Sequence, residues 1–451
     1  MHQLLRRLTG ISTIALFSAI SGLAQAQTTQ PAQGGQAAQS GQAAPAQKQK
    51  KVKDQGEYDL FNGVTKETDS HKKLALLNTW KEKYPDSDYK VERLQYFLAT
   101  YQQLGQPAKM IETAKEILAI DPKDIQALYW ISTLTPTLGN TSADALDVGE
   151  KAANGLLNAE KPAAVKDEDW TKAKAQTDAI AYSTLGWIAM TRKNNDVAMQ
   201  NFKKSLEISP NAAQVSYWLG QVTLSKSVAE KKPELQSEAL YDFARAASYD
   251  GPGSLTPDGR KQVDAYLTKV YSQLHGDASG LAELKAQAKA TPLAPANFKI
   301  LTAAEIALQK EEELKKTNPQ LALWLNIKGQ LLAPDGQQYF DNSMKGAQVP
   351  KLKGWLVSAK PPVRSKELLV SMGGKDQATP DVTLKLVNAE GTAMALTGKP
   401  EVGTEIEFEG VPDSFSKDPF MVTFNVEKAK ITGLKEEKVA PTRRPPSRRK
   451  K

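Results

Sequence analysis

The sequence predicts a multidomain α + β protein: an N-terminal α-helical solenoid followed by a small all-β barrel or sandwich. Three observations carry this. Across residues 54–294, apolar and small side chains recur at helical spacing, in segments closed by turns or prolines. After Pro350 the period falls from about 3.6 to about 2, in short alternating runs separated by turn residues. The stretch between, residues 295–349, is mixed, with helices expected over 302–316 and 319–330 and a turn-rich approach over 335–346. It is expected to cap the solenoid and connect it to the β domain.

The N-terminus comes first in the chain. Residues 1–26 read as an export signal. Arg6 and Arg7 form a positive start, residues 11–20 a short apolar run, and Ala24-Gln25-Ala26 a small-x-small cleavage site. Cleavage after Ala26 would place the mature protein in the periplasm or cell envelope, beginning at Gln27. The run is too short for a comfortable span, so no transmembrane helix is expected in the mature chain; an uncleaved anchor is the alternative. Residues 27–53 are mostly Gln, Ala, Gly, Pro and Ser. They cannot bury enough surface to offset their ordering entropy, and are expected to be a disordered linker.

The clearest pair of helices lies at residues 179–212. Tyr182, Leu185, Gly186 and Ala189 share one face, Arg192–Asp196 forms a polar turn, and Ala198, Phe202 and Ser205 follow before Pro210. Such a pair cannot bury its own apolar face and needs neighbours of its kind. The spacing resembles the tetratricopeptide repeat, a helix–turn–helix of about 34 residues. Leu185, Gly186, Ala198, Phe202 and Pro210 fall on the family pattern. Tyr182 stands where Trp is commonest and Ala189 where Tyr is expected. A generic helical hairpin is the plainer alternative.

Other segments echo the pattern. Residues 91–124 carry Tyr101, Gly105 and Pro122, and 125–158 carry Gly139 in the turn. A degenerate first pair, with Leu74, Leu77 and Trp80 on one face, ends at Pro85. Residues 213–253 place Leu219 and Gly220 in register, with Ala239, Phe243 and Ala246 on a second helix. A linker over Ser254–Arg260 precedes a last pair at 261–294, with Tyr271 and Pro292. The array therefore has about six pairs, more than the three or so a self-supporting stack needs. Residues 159–178 interrupt it and are expected to be a polar loop.

The resemblance implies a concave groove lined by the first helix of each pair. It assigns the groove positions to Ile180, Ser183, Trp187, Met190 and Thr191, then to Gln214, Tyr217, Gln221, Leu224 and Ser225. The 91–124 pair offers Glu92, Gln95, Ala99, Gln102 and Gln103. The central groove would be aromatic and apolar, and the N-terminal part rich in amides. Trp and Tyr are common binding anchors, and plain packing between pairs is the other reading of Trp187 and Tyr217. None of these positions is a Lys or Asn, so a clamp for a C-terminal carboxylate is not expected. The implied partner is a protein or peptide, taken in extended or helical form.

The β domain is expected over 350–434, with strands at 352–358, 367–371, 382–387, 404–410 and 420–426. Its size and strand count resemble a five-stranded oligonucleotide/oligosaccharide-binding barrel, without a motif that fixes this over another small barrel or sandwich. Ile406 and Phe408 alternate with Glu405, Glu407 and Glu409, so one outer face is acidic. That argues against a nucleic-acid surface, which needs a basic face with exposed aromatics; Trp355 and Phe415 are the aromatics to watch.

Residues 435–451 read as a disordered basic tail, with Arg443, Arg444, Arg448, Arg449, Lys450 and Lys451 as candidates for holding an anionic surface, or as a solubilising end. These six and Arg6 and Arg7 account for the formal net charge of +8, leaving the body near neutral.

Catalysis finds little support. The chain has no cysteine and three histidines, His2, His71 and His275. No phosphate loop, dinucleotide fingerprint, zinc-protease motif or serine elbow occurs. Glu311-Glu312-Glu313 point in different directions on one helix. Neither a catalytic residue, a cofactor nor a metal site is assigned. The reading is a non-enzymatic interaction scaffold, with binding of an anionic polymer by the β domain and tail as the second choice and a carboxylate-only hydrolase as the third.

Overall fold

The computed structural model describes residues 50–438 apart from 376 and 378. The expected leader (1–26), most of the linker (27–53) and the basic cluster Arg443–Lys451 lie outside the described residues. The chain divides into two compact units between Thr302 and Ala303.

The first unit is helical and pairwise. Its helices are α1 (Gln55–Lys66), α2 (Ser70–Lys83), α3 (Lys90–Gln103), α4 (Pro107–Leu118), α5 (Ile125–Leu138), α6 (Ala143–Leu157), α7 (Asp167–Thr191), α8 (Asn195–Ile208), α9 (Ala213–Glu230), α10 (Leu235–Ser248), α11 (Pro257–His275) and α12 (Leu281–Ala290). Starts are set by short polar side chains that accept from orphan backbone N–H groups: Asp54 from Glu57, Asp69 from Lys72, Asp124 from Ala127 and Ser142 from Ala145. Gly139 ends α5 at φ 62°, a left-handed conformation glycine adopts without strain.

Two boundaries depart from the sequence reading. The interruption at 159–178 is mostly helix, because α7 runs 25 residues from Asp167. Its acid run Asp167-Glu168-Asp169 occupies the first turn, where the helix dipole favours negative charge. The last pair begins at Pro257 and not at 261; Thr256 caps α11 by accepting from the Gly259 N–H at 3.1 Å.

Packing in the repeats is close. Gly186 on α7 lies where any Cβ would stand 2.5 Å from Phe202 Cδ1, and Gly220 on α9 lies 3.0 Å by the same measure from Phe243. Two buried charged groups inside the first pairs find partners there. Glu57, fully buried, accepts from Trp80 Nε1 at 3.0 Å and the Lys53 N–H at 2.7 Å. Arg93, 2% exposed, donates to the Trp80 and Tyr84 carbonyls at 3.1 and 2.7 Å.

The array ends differently from how it begins. Helix α12 lies against α10, where Arg245 donates to the Ala288 carbonyl at 3.3 Å and the Pro210 carbonyl at 2.8 Å. Residues 291–301 then run back along α10. Phe298 meets Tyr241 edge-on at 5.0 Å, the Ile300 N–H donates to Ser237 Oγ at 3.0 Å, and His275 Nδ1 is 2.9 Å from the Leu301 carbonyl.

The second unit holds α13 (Ala303–Thr317), α14 (Pro319–Leu332) and α15 (Gly336–Tyr339), then a sheet. Its strands are β1 (Leu352–Lys360), β2 (Glu367–Ser371), β3 (Val382–Val387), β4 (Lys399–Pro400), β5 (Glu405–Phe408), β6 (Val411–Lys417), β7 (Phe420–Glu427), β8 (Ile431–Thr432) and β9 (Glu436–Glu437). The main sheet has the order β6-β7-β3-β2-β1-β5-β8, antiparallel except for β3 with β7. Strands β5 and β6 pair with β1 and β7, towards opposite ends of that order, yet only Glu409 and Gly410 separate them. The sheet therefore curls round to meet itself.

Strand β6 is the one substantial strand that the sequence reading lacks, because Pro412-Asp413 resembles a turn. Pro412 sits at a register shift opposite Phe424, one of the few places a strand tolerates proline. Inside the curl, Leu356, Leu368, Val382, Leu384, Ile406, Phe408, Val422 and Phe424 are at most 1% exposed. Trp324, Ile327, Leu331, Phe340 and Met344 belong to the same core. These residues come from the segment expected to cap the solenoid; their apolar face packs with the sheet. Lys328 fixes the attachment by donating to Asp381 Oδ1 at 2.6 Å, while Asp381 Oδ2 accepts from the Met372 N–H and Gln377 Nε2.

Candidate partner-binding surface of the repeats

The groove candidates do not behave as one set. Trp187 is 5% exposed, in a core with Ile188, Phe202, Val215, Trp218 and Leu219. It is a packing residue, and its role as a partner-facing anchor is corrected accordingly. Ile180 leans on another core, that of Leu128, Ile131 and Leu156. Ser183 and Gln214 are half-buried.

Four candidates do come together. Met190 and Tyr217 line the edge of the Trp187 core, and Tyr217 and Leu224 the edge of the next, built from Phe243, Leu267 and Tyr271. Gln221 Nε2 donates to the Tyr217 hydroxyl at 3.0 Å, one helical turn away. Tyr217 faces Phe243 at 5.9 Å between ring centres. Burial pushes the Tyr217 hydroxyl pKa up, and the neighbouring Tyr266 adds to it.

Tyr266 is the residue that sequence reasoning missed. It is 38% exposed on α11 and meets Phe243 edge-on at 5.3 Å. The signal was there: an aromatic residue one turn before Val270 and the buried Tyr271. Tyr266 falls on no groove position of the repeat pattern, whether the last pair is counted from 261 or from Pro257. Tyr217 on α9 thus adjoins Tyr266 on α11 across Phe243, with Gln221 bonded to Tyr217, while Met190 on α7 and Tyr217 share the edge of the Trp187 core.

The N-terminal amides are engaged within the chain. Gln95 Nε2 donates to Asp124 Oδ2 at 3.1 Å, Gln103 Oε1 accepts from Ser70 Oγ at 2.7 Å, and Glu92 pairs with Lys50. An open hollow of ≈ 420 Å³ on the extended half of α7 is lined by Trp170, Thr171, Lys174, Asp178 and Ile208. Its polar groups already satisfy one another, since Lys174 pairs with Asp178 and donates to the Leu157 carbonyl. Among the described residues no three His, Asp or Glu side chains gather as a metal site. No described helix is long and apolar enough to cross a membrane. His275 is held by the Leu301 carbonyl and Ser279 Oγ.

Comparison with known proteins finds one family. The family described as tetratricopeptide repeat matches residues 179–212, which span the second half of α7, all of α8 and the turns around them. Residues 179–212 are therefore similar to a tetratricopeptide repeat. Solved structures of MamA match at 18% identity, one covering 45% of this chain and 96% of its own, with a TM-score of 0.30. A thermophilic TPR protein of Thermus thermophilus matches at 17% identity over 47% of this chain and 98% of its own, with a TM-score of 0.27. No curated protein sequence matches.

Proposed function

We propose that the chain is an exported, non-enzymatic scaffold that takes a protein or peptide partner on the repeat surface formed by Met190, Tyr217, Gln221, Leu224 and Tyr266. The observation that carries this is the juxtaposition of half-buried Tyr217 and exposed Tyr266 on neighbouring first helices, with Gln221 beside them. Aromatic side chains there offer large contact area at low entropy cost, and the amide offers hydrogen bonds to a peptide backbone. Export rests on the sequence of residues 1–26. For the second unit we propose a barrel of the oligonucleotide/oligosaccharide-binding type, a reading supported by the strand order, the parallel β3–β7 pair and the short β5–β6 link.

Photo-crosslinking tests the surface. A benzophenone amino acid at Gln221 should capture a defined partner in cells, while the same group at exposed Gln200 on α8 should not. The double variant Tyr217→Ala/Tyr266→Ala should abolish the Gln221 product with helicity retained. Equal labelling at both positions would sink the assignment.

A further inference from the structure

The hydrogen bonds and the charge of the Tyr217–Tyr266 surface select among ligands. From Ala213 to Val228, the side chains of α9 that escape burial at helical spacing are Gln214, Tyr217, Gln221, Leu224 and Val228. Val228, at the far end, is 70% exposed. None of the five is charged, and the ammonium of Lys226 beside them is paired with Asp196 and Glu230. On α11, one turn to either side of Tyr266, stand exposed Gln262 and Lys269. Among these residues there are phenols, amides, aliphatic groups and one open cation, and no acid.

The protons on this surface point outward. Tyr217 Oη accepts from Gln221 Nε2 at 3.0 Å, so the hydroxyl proton of Tyr217 is left for a ligand. Tyr266 Oη has no hydrogen-bond partner among the described residues. Burial pushes both phenol pKa values up, so both groups stay protonated donors at physiological pH. A ligand that covers them must supply acceptors, because a covered hydroxyl without a partner is strongly unfavourable. A helical ligand has its backbone carbonyls bonded internally. A β-strand brings N–H groups as well as carbonyls. A proline-rich chain in the polyproline II conformation has its carbonyls free and lacks the N–H at each proline.

From this we infer that the surface of Tyr217, Gln221, Leu224, Val228 and Tyr266 takes an uncharged, proline-rich segment of its partner in the polyproline II conformation. The inference rests on the partner-binding reading of this surface and adds the chemistry of the ligand. The two phenols donate to ligand carbonyls, and Gln221 holds the Tyr217 proton in the direction that allows it. Leu224 and Val228 offer aliphatic contact to pyrrolidine rings. From Tyr217 to Val228 the stripe runs roughly 16 Å along α9, the length of about five residues of polyproline II. Such a chain is already stiff before it binds, so a shallow surface can hold it.

The experiment is biolayer interferometry of the full chain on three immobilised, end-capped peptides: octaproline, an uncharged alanine–glutamine helical peptide, and octaglutamate. Octaproline should bind the most tightly. Tyr266→Phe removes one donor and should weaken it about fivefold. Gln221→Glu should weaken it about tenfold, because a carboxylate accepts the Tyr217 proton and turns it away from the ligand. Gln221→Met deletes the bond without taking the proton and should lose less than Gln221→Glu. The probe is uncharged, so the added charge of the glutamate does not itself repel it. Tyr217→Ala/Tyr266→Ala should weaken binding at least about 100-fold with circular dichroism unchanged. Octaproline that does not bind, or binds with Gln221→Glu as well as with Gln221→Met, overturns the inference. A helical or acidic peptide bound more tightly, and released by the tyrosine double variant, overturns the ligand class and leaves the surface standing. Octaproline bound equally by the tyrosine double variant places the peptide elsewhere and overturns the inference, while crosslinking from Gln221 in cells still judges the surface by itself.

Discussion

Gly186 offers the sharpest test of how the repeats are held together. A helix interior ordinarily prefers Ala to Gly by about 1 kcal/mol. Here the added methyl would stand 2.5 and 2.6 Å from Phe202 Cδ1 and Cε1, and Phe202 is fully buried. The ring has nowhere to swing, so overpacking should cost about 1–3 kcal/mol and outweigh the propensity gain. We expect Gly186→Ala to destabilise by up to about 2 kcal/mol. Phe202→Ala empties the site and should cost about 3–5 kcal/mol. The double variant places the new methyl into that cavity, so its loss should fall short of the sum of the single losses by at least about 1 kcal/mol. Gly329 on α14 is the control: a Cβ there meets nothing within 4 Å, and Gly329→Ala should stabilise by about 1 kcal/mol. Denaturant titrations followed by far-ultraviolet dichroism measure all four. Additive single losses, or a stabilising Gly186→Ala, would refute the close approach of α7 and α8.

Three further outcomes follow from the same packing. Trp187→Ala should lower stability by about 3–5 kcal/mol, seen as a reduced denaturation midpoint, because Trp187 fills a core and not a groove. Asp242 is buried on α10, and burial pushes its pKa well above the usual carboxylate range, with Glu238 adding and Lys203 opposing. A raised folded-state pKa favours folding most below the unfolded value and loses that contribution as pH rises through the folded value. Stability should thus fall from mildly acidic towards higher pH, and Asp242→Asn should flatten the profile of midpoint against pH. Asp381→Asn should loosen α14 from the sheet at a cost of about 2–3 kcal/mol, read as faster amide exchange at Trp324 and Ile327.

The repeats were legible because their constraints are local. Gly186, Ala198 and Phe202 announce a close helix pair at fixed spacing, and the structure buries all three, with Gly186 set directly against the Phe202 ring. The β strands with strict alternation were equally plain, as at Val422, Phe424 and Val426. What stayed hidden depended on partners distant in sequence. Asp167-Glu168-Asp169 looks like a solvated loop until a helix dipole sits behind it. Pro412 looks like a turn until a bulge opposite Phe424 accommodates it. Trp187 looks like an anchor when only its helix is considered, and becomes core once Val215 and Trp218 of the next pair close over it. Tyr266 escaped because it falls on no groove position of the repeat pattern, and only its contact with Phe243, distant in sequence, brings it beside Tyr217.

The turn back along α10 has a consequence for assembly. A stack of like pairs has no internal reason to stop, and its last helix presents the face to which another unit could add. In this chain the face of α10 bearing Ser237 and Tyr241 is taken by Ile300 and Phe298 of the same molecule, and His275 secures the end of that strand of chain. Residues 291–301 thus cover a face of α10 that the helices of the array leave open. A chain lacking residues 291–301 would leave that face sticky, and end-to-end filaments are the form its failure would take.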